Sequence, residues 1–165
     1  LAQLSEGLEI LTSMLRGGRS NFTGKHFRVA DAPCEPRPVQ SPLPITIGGA
    51  GERKLLRLVA RHAQRWNCPM NSAPDVERLR GVLADHCAAV GRDPSEIIVS
   101  EQCMVVIAPD EESLAGKLAM AKAMLGGFAD VERQAMIGTP DRVIAQIRQR
   151  MARGDAEPPI TMRLR

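Results

Sequence analysis

The sequence predicts an α/β fold, a parallel sheet with helices packed outside it. Two observations carry that prediction. Short apolar runs rich in β-branched residues alternate with longer amphipathic stretches along the 165 residues, enough chain for one domain with a sizeable core. Within that alternation, Pro44-Ile45-Thr46-Ile47-Gly48-Gly49-Ala50-Gly51-Glu52-Arg53-Lys54-Leu55-Leu56 reads as one complete passage from strand through glycine turn to helix.

Leu1, Leu4, Leu8, Leu11 and Leu15, with Ile10 and Met14 beside them, recur every three or four residues and predict a core-facing helix over 1–18, ended by Gly17-Gly18. The chain starts inside this apolar pattern with no cap before it, so it is expected to begin mid-structure, as a piece of something longer. Residues 19–43 read as a short extended excursion turning at Gly24, then a connection through Pro33, Pro36, Pro38, Pro42 and Pro44. Ile45 and Ile47 open a buried strand, and Glu52 to His62 form a helix with Leu55, Leu56, Leu58 and Val59 on one face. Gln64 to Pro69 is a short buried strand.

A helix is expected from Ala73 to Val90, with Ser72 as its cap, Pro74 in its first turn and Val76, Leu79, Val82, Leu83 and Cys87 inward. Asp93 to Glu96 makes a turn, and Ile97 to Ala108 is the longest strand candidate. Pro109-Asp110 starts a helix over Glu111–Leu125, stopped by Gly126-Gly127. A shorter helical piece covers Ala129 to Met136. Thr139-Pro140-Asp141 starts the last helix, with Val143, Ile144, Ile147 and Met151 inward until Gly154. Ile160 to Leu164 is a candidate final strand.

Composition excludes several classes. The net charge of +3 comes from scattered basic residues, and an aromatic content of 2% leaves no base-stacking platform, so nucleic acid is not the expected partner. No apolar run of membrane-spanning length and no export leader is visible in these residues. Cys34, Cys68, Cys87 and Cys103 never form a Cys-x-x-Cys pair, and His26, His62 and His86 are equally dispersed. That spacing gives no metal site and fits a reduced, cytoplasmic protein.

The chemistry centres on the glycine turn. Amides of such a turn and of the first helical turn after it have no partners of their own, and the helix dipole favours negative charge there. Gly48, Gly49, Ala50 and Gly51 are therefore candidates to hold a phosphate-bearing ligand; the alternative is a tight turn with no ligand, needing glycine only for positive φ. No Gly-Lys-Ser/Thr follows, which excludes a Walker loop, and the acidic residue of a Rossmann fingerprint is missing. Asn67 to Asn71 ends the neighbouring strand on the same carboxyl side, where ligands of parallel α/β folds bind.

The run Asn21-Phe22-Thr23-Gly24-Lys25-His26-Phe27, the glycine turn, Leu56 to Ala63, Trp66-Asn67, His86 to Ile97 and Ile137 to Val143 together resemble the luciferase-like monooxygenase superfamily, most closely its actinobacterial branch of coenzyme F420-dependent oxidoreductases. The resemblance implies the C-terminal half of a (β/α)8 TIM barrel: a single partial domain over 1–165, with βα units five to eight in 44–165. It implies that the strand at Ile45 is the fifth, Trp66 the sixth, Ile98 to Ile107 the seventh and the tail the eighth. It further implies hydride transfer between a deazaflavin and a small organic substrate, or in the alternative a reduced-FMN-dependent monooxygenase of the same fold, with the cofactor phosphate held by Gly48, Gly49, Ala50 and Gly51 and more loosely by Asn67, Cys68 and Pro69. Catalytic residues are unassigned, because the ring is cradled by the first four strands. Two departures stand out: Arg65 where the family commonly has glycine, and Gly154 to Pro159 before the last strand. The expected partners are the missing N-terminal half of the barrel and further copies of the chain in a homo-oligomer; the alternative of a different class is a non-catalytic half-barrel that associates, through its open strand edges, with a copy of itself or with that missing half.

Other candidates have two readings each. Arg53 and Lys54 either steer a phosphate or are solvated charges, and Glu101 either touches substrate or points outward. Trp66 reads as core packing, Cys68 as a pocket-lining thiol, and His62 and His86 as structural or exposed.

Overall fold

The computed structural model describes residues 1–127 and 129–152. They group into two compact units, Leu1–Trp66 with Arg78–Ile97, and Asn67–Glu77 with the described residues from Ile98 onward.

The first unit opens with helix α1 (Ala2–Gly17), which stops because Gly18 turns left-handed at φ +73° and donates its N–H to Met14 O. The predicted leucine stripe is only partly covered. Leu8 is buried, but Leu4 and Leu11 are 39% and 50% exposed, so the stripe as a whole does not face a core within the described residues. The excursion is an antiparallel hairpin of β1 (Arg19–Thr23) and β2 (Arg28–Pro33). Its turn at Gly24 is tied to α1, where the Glu6 carboxylate accepts the amides of Lys25, His26 and Phe27, each at 2.9 Å. Desolvation works against the Glu6 charge, and these backbone bonds outweigh it, so the carboxyl sits below its usual range.

Strand β3 (Thr46–Gly48), helix α2 (Leu55–His62) and strand β4 (Arg65–Cys68) follow. In the first unit β3 neighbours β4. The approach is fixed by Ile45 O, which accepts the amides of Gln64 and Arg65 at 3.0 and 3.1 Å, and by Gln64 Oε1, which accepts the Ile45 amide at 2.9 Å. Helix α2 buries Leu56, Leu58, Val59 and Ala60. Each large aliphatic side chain so buried contributes roughly 1.5–3 kcal/mol. The helix starts at Leu55 rather than at Glu52, because residues 52–54 form a separate turn that folds back so that Gly51 O accepts both Leu55 N and Leu56 N at 3.0 Å.

Helix α3 (Val76–Ala89), of this unit from Arg78 on, buries Leu79, Leu83 and Cys87. Beyond it, Arg92 donates to Ala60 O at 3.0 Å and holds the end of α2.

In the second unit the Asn67–Cys68 half of β4 neighbours β5 (Ile98–Glu101). The helix expected from Ala73 is preceded by a 3₁₀ turn over Met70–Asp75, with Pro69 at its N-cap. Ser72 is not a cap. Its amide is spent on Pro69 O at 2.9 Å, and its hydroxyl donates to Asn71 Oδ1 at 3.4 Å.

The single strand expected over 97–108 is two strands. After β5, Gln102 N donates to Cys68 O at 2.8 Å, and then the chain changes partner. Strand β6 (Val105–Ile107) pairs in parallel with β7 (Met136–Gly138) in the register Val105–Met136, Val106–Ile137 and Ile107–Gly138. Strand β7 takes the end of the stretch read as helix, leaving helix α5 only Val131–Gln134. The sequence favours this because Met136 and Ile137 are apolar and an open edge at Met104 O accepts the Met136 amide at 2.8 Å.

Helix α4 (Glu111–Leu125) has the predicted bounds, and the Asp110 carboxylate accepts Ser113 N at 2.7 Å as its cap. Val106, Ala108, Leu114, Val131 and Ala135 form the core of this unit. Helix α6 (Pro140–Met151) begins at the expected proline, but Thr139 makes no side-chain cap bond. Only part of its predicted inner face is covered: Val143 is buried, whereas Ile144 and Met151 are 44% and 41% exposed. The expected strand over 160–164 lies outside the described residues. No helix among those described is long and apolar enough to cross a membrane.

Candidate functional site

The glycine turn lies at the carboxyl end of β3 in the first unit. Gly48 and Gly51 are exposed, and Gly49 and Ala50 are half-buried. Gly49 has φ +127°, and a Cβ built there would lie 2.8 Å from Leu55 Cδ2, so this position requires glycine. Gly51 does not share that requirement: a Cβ there would meet Leu55 Cβ at 3.4 Å, an ordinary contact. The conformational need predicted for the whole run is concentrated in one residue.

The amides from Ala50 through Lys54 donate to no backbone acceptor within the first unit. The carbonyls of the same segment are engaged. Gly49 O accepts Trp66 Nε1–H at 2.7 Å, Gly51 O accepts two α2 amides, and Glu52 O lies 2.7 Å from His86 Nε2. These donors precede α2, whose own first two amides are taken by Gly51 O, and an unspent row of donors ahead of a helix fits a phosphate, because the dipole adds positive potential there.

Charge around the turn is arranged compatibly. Glu52 would repel an anion, but its carboxylate is drawn to Arg78 on α3, with Nη2 to Oε1 at 3.0 Å. That hydrogen bond and the Arg78 charge hold the Glu52 carboxyl below its usual range. Arg53 and Lys54 are exposed. Lys54 also lines a cleft of about 350 Å³ together with Leu1, Ala2, Ser5, Arg57, Leu58 and Arg61. The glycines are not part of its wall.

The other candidates, Asn67, Cys68 and Pro69, belong to the second unit. Asn67 Oδ1 accepts Ser100 Oγ–H at 3.4 Å. Cys68 is fully buried, its Sγ 3.9 Å from Pro69 O, and Pro69 is spent on starting the 3₁₀ turn. Glu101, read as a possible substrate contact, is 3.6 Å from Arg150 Nη1 in a partly buried ion pair. All four cysteines are free thiols, and no group of three or more His, Cys, Asp or Glu among the described residues is placed to hold a metal ion.

A model of the luciferase-like monooxygenase family matches residues 1–129. The chain belongs to that family. An uncharacterised protein of Mycobacterium tuberculosis is 27% identical over 123 residues, which are 74% of this luciferase-like chain and 43% of the relative. Among solved structures, the coenzyme F420-dependent tetrahydromethanopterin reductase of Methanopyrus kandleri superposes with a TM-score of 0.69 at 19% identity, over 93% of this chain and 55% of that one. The oxygenating constituent of 3,6-diketocamphane monooxygenase from Pseudomonas putida, in complex with FMN, superposes with a TM-score of 0.53 at 18% identity, over 86% and 50% of the two chains. The luciferase-like chain thus spans about half the length of these proteins, and its α/β architecture with parallel strands is that of the luciferase-like TIM barrels.

Sequence reasoning missed the polar role of Trp66 and His86. The signal was present for Trp66: a buried indole needs an acceptor for its N–H, and the only tryptophan of the chain stands on the strand that follows the glycine turn and its helix. For His86 no sequence signal existed, since its contact with Glu52 spans 34 residues.

Proposed function

We propose that this chain is the phosphate-holding portion of a luciferase-like oxidoreductase that uses coenzyme F420 to move a hydride between a deazaflavin and a small organic substrate. The observation that carries the reading is the row of undonated amides from Ala50 to Lys54, preceded by the one obligatory glycine and cleared of negative charge by the Glu52–Arg78 pair. In this reading Ala50, Gly51, Glu52 and Arg53 donate backbone hydrogen bonds to the cofactor phosphate, and Arg53 and Lys54 raise the local potential. Gly48 ends the strand that brings the turn to the ligand. The cofactor, when bound, supplies the hydride chemistry; the residues described here fix where its anionic end is held.

Reduced FMN is the second reading, because it too presents a phosphate and a structural neighbour was solved with FMN. Titrating the chain with coenzyme F420 and with FMN, while following the absorbance of each, separates the two. Saturable binding of F420 alone supports the first reading, saturable binding of FMN alone the second, and binding of neither refutes both.

The partner in this reading is a further set of βα units, from a longer form of the chain or from a second copy. Its support is apolar: Val105 and Ile107 on β6 are 36% and 40% exposed although β6 is a strand of a parallel pair, and parallel sheets are ordinarily covered on both faces.

A further inference from the structure

We propose that Trp66 and His86 are positioning residues for the phosphate cradle, each turning one backbone amide toward the ligand by holding the carbonyl bonded to it. The inference rests on the phosphate reading above and adds to it which side chains set the donors.

The argument is one of peptide geometry. In a trans peptide the C=O and the N–H of the same unit point in opposite directions, so fixing one fixes the other. The bonds joining Gly49 to Ala50, Gly51 to Glu52 and Glu52 to Arg53 are all trans. Trp66 is fully buried, and its Nε1–H donates to Gly49 O at 2.7 Å. That bond draws the Gly49 carbonyl toward the indole and leaves the Ala50 N–H facing the opposite way.

His86, half-buried on α3, approaches Glu52 O at 2.7 Å through Nε2. A carbonyl only accepts, so Nε2 carries the proton, and the Arg53 N–H is directed away from α3. Gly51 O is held by the amides of Leu55 and Leu56, which directs the Glu52 N–H away from the body of α2. Ala50, Glu52 and Arg53 thus have their orientations imposed by three separate anchors. Two of those anchors are side chains distant in sequence, and neither needs to touch the ligand.

A turn held only by its own backbone would have to freeze these peptide planes at the moment of binding. One already pinned binds without that ordering cost. Packing alone would account for a buried tryptophan, but a phenylalanine would pack without directing the Gly49 carbonyl.

The test is site-resolved. The ¹⁵N-labelled 165-residue chain is titrated with inorganic phosphate and, separately, with coenzyme F420, while the amide resonances of Ala50, Glu52 and Arg53 are followed. In the unaltered chain all three move together and saturate. In Trp66→Phe the affinity, read alike at all three amides, falls about tenfold, as expected for one misdirected charge-assisted bond, and the saturating shift at Ala50 is lost while those of Glu52 and Arg53 persist. In His86→Ala the response at Arg53 is the one lost, and His86→Gln, whose amide N–H has a similar reach, restores it.

A merely structural role would shrink the saturating shifts of all three amides alike, in step with the fall in melting temperature, and that result overturns the inference. So does an undiminished Ala50 response in Trp66→Phe. Should Trp66→Phe fail to fold, the His86→Ala and His86→Gln pair decides alone. If none of the three amides responds in the unaltered chain, the phosphate reading itself fails, a result separate from loss of selectivity in the variants.

Discussion

Replacing Gly49 by alanine, with Gly51→Ala beside it, tests whether the turn is conformationally specified or merely glycine-rich. At Gly49 the φ of +127° lies where L-residues are strained, and the new Cβ would meet Leu55 Cδ2 at 2.8 Å. Holding a side chain in such a region costs about 1–3 kcal/mol. The clash adds less, since the Leu55 methyl is the end of a flexible side chain. At Gly51 the new Cβ meets Leu55 Cβ at 3.4 Å and no positive φ is imposed, so the substitution gains from a less flexible unfolded chain, about 0.4–1 kcal/mol. The two variants should therefore differ by about 1.4–4 kcal/mol, roughly 10- to 900-fold in the folding equilibrium. Urea unfolding followed by the fluorescence of Trp66, the only tryptophan and a member of the same unit, reads this directly. Equal midpoints for the two variants, or a Gly51→Ala variant less stable than Gly49→Ala, would refute the assignment of the constraint to Gly49.

The remaining expectations are independent of the turn. The Glu6 carboxyl has a lowered pKa in the folded chain, so its tie to the hairpin is fully present above the unfolded value and is lost as pH falls through the folded one. Hydrogen exchange at Lys25, His26 and Phe27 should accelerate relative to the rest of β1–β2 on acidification, and Glu6→Gln should remove that acid dependence; an unchanged profile contradicts the tie. Thiol labelling of the folded chain should modify exposed Cys103 first and Cys34 next. Cys68 and Cys87 should stay protected until unfolding, Cys87 doubly so because burial also raises its pKa. Sedimentation velocity of the chain should show association that increases with concentration if β6 seeks a covering partner, and a strictly monomeric species would count against that reading.

Elements with chemical punctuation at both ends were legible in the sequence. Helix α4 was readable from Asp110 at one end and Gly126 at the other, and the start of α6 from Pro140, because caps act through residues in the same few positions. The division of 97–108 was not legible. Its apolar residues continue through both strands, and what separates β5 from β6 is a change of partner from Cys68 O to β7, a tertiary fact. Strand β7 was missed for the same reason: three residues carry no period, and pairing with β6 decides their conformation. The start of α2 at Leu55 depends on Gly51 O bending back to two amides, which composition does not encode.

The candidate site divides similarly. The glycines and their free amides followed from local rules, whereas the anchoring by Trp66, Arg78 and His86 depends on side chains brought together from β4 and α3. The exposure of Leu4, Leu11 and Ile144 shows the limit of periodicity: it tells which residues share a face, not what covers it.

The most direct measurement of the central claim is a crystal structure of the chain grown with coenzyme F420. The account predicts phosphoryl oxygens about 2.7–3.2 Å from the amide nitrogens of Ala50, Glu52 and Arg53, with Trp66 still bound to the Gly49 carbonyl. A phosphate seated instead among Lys54, Arg57 and Arg61, with those three amides facing solvent, would contradict it.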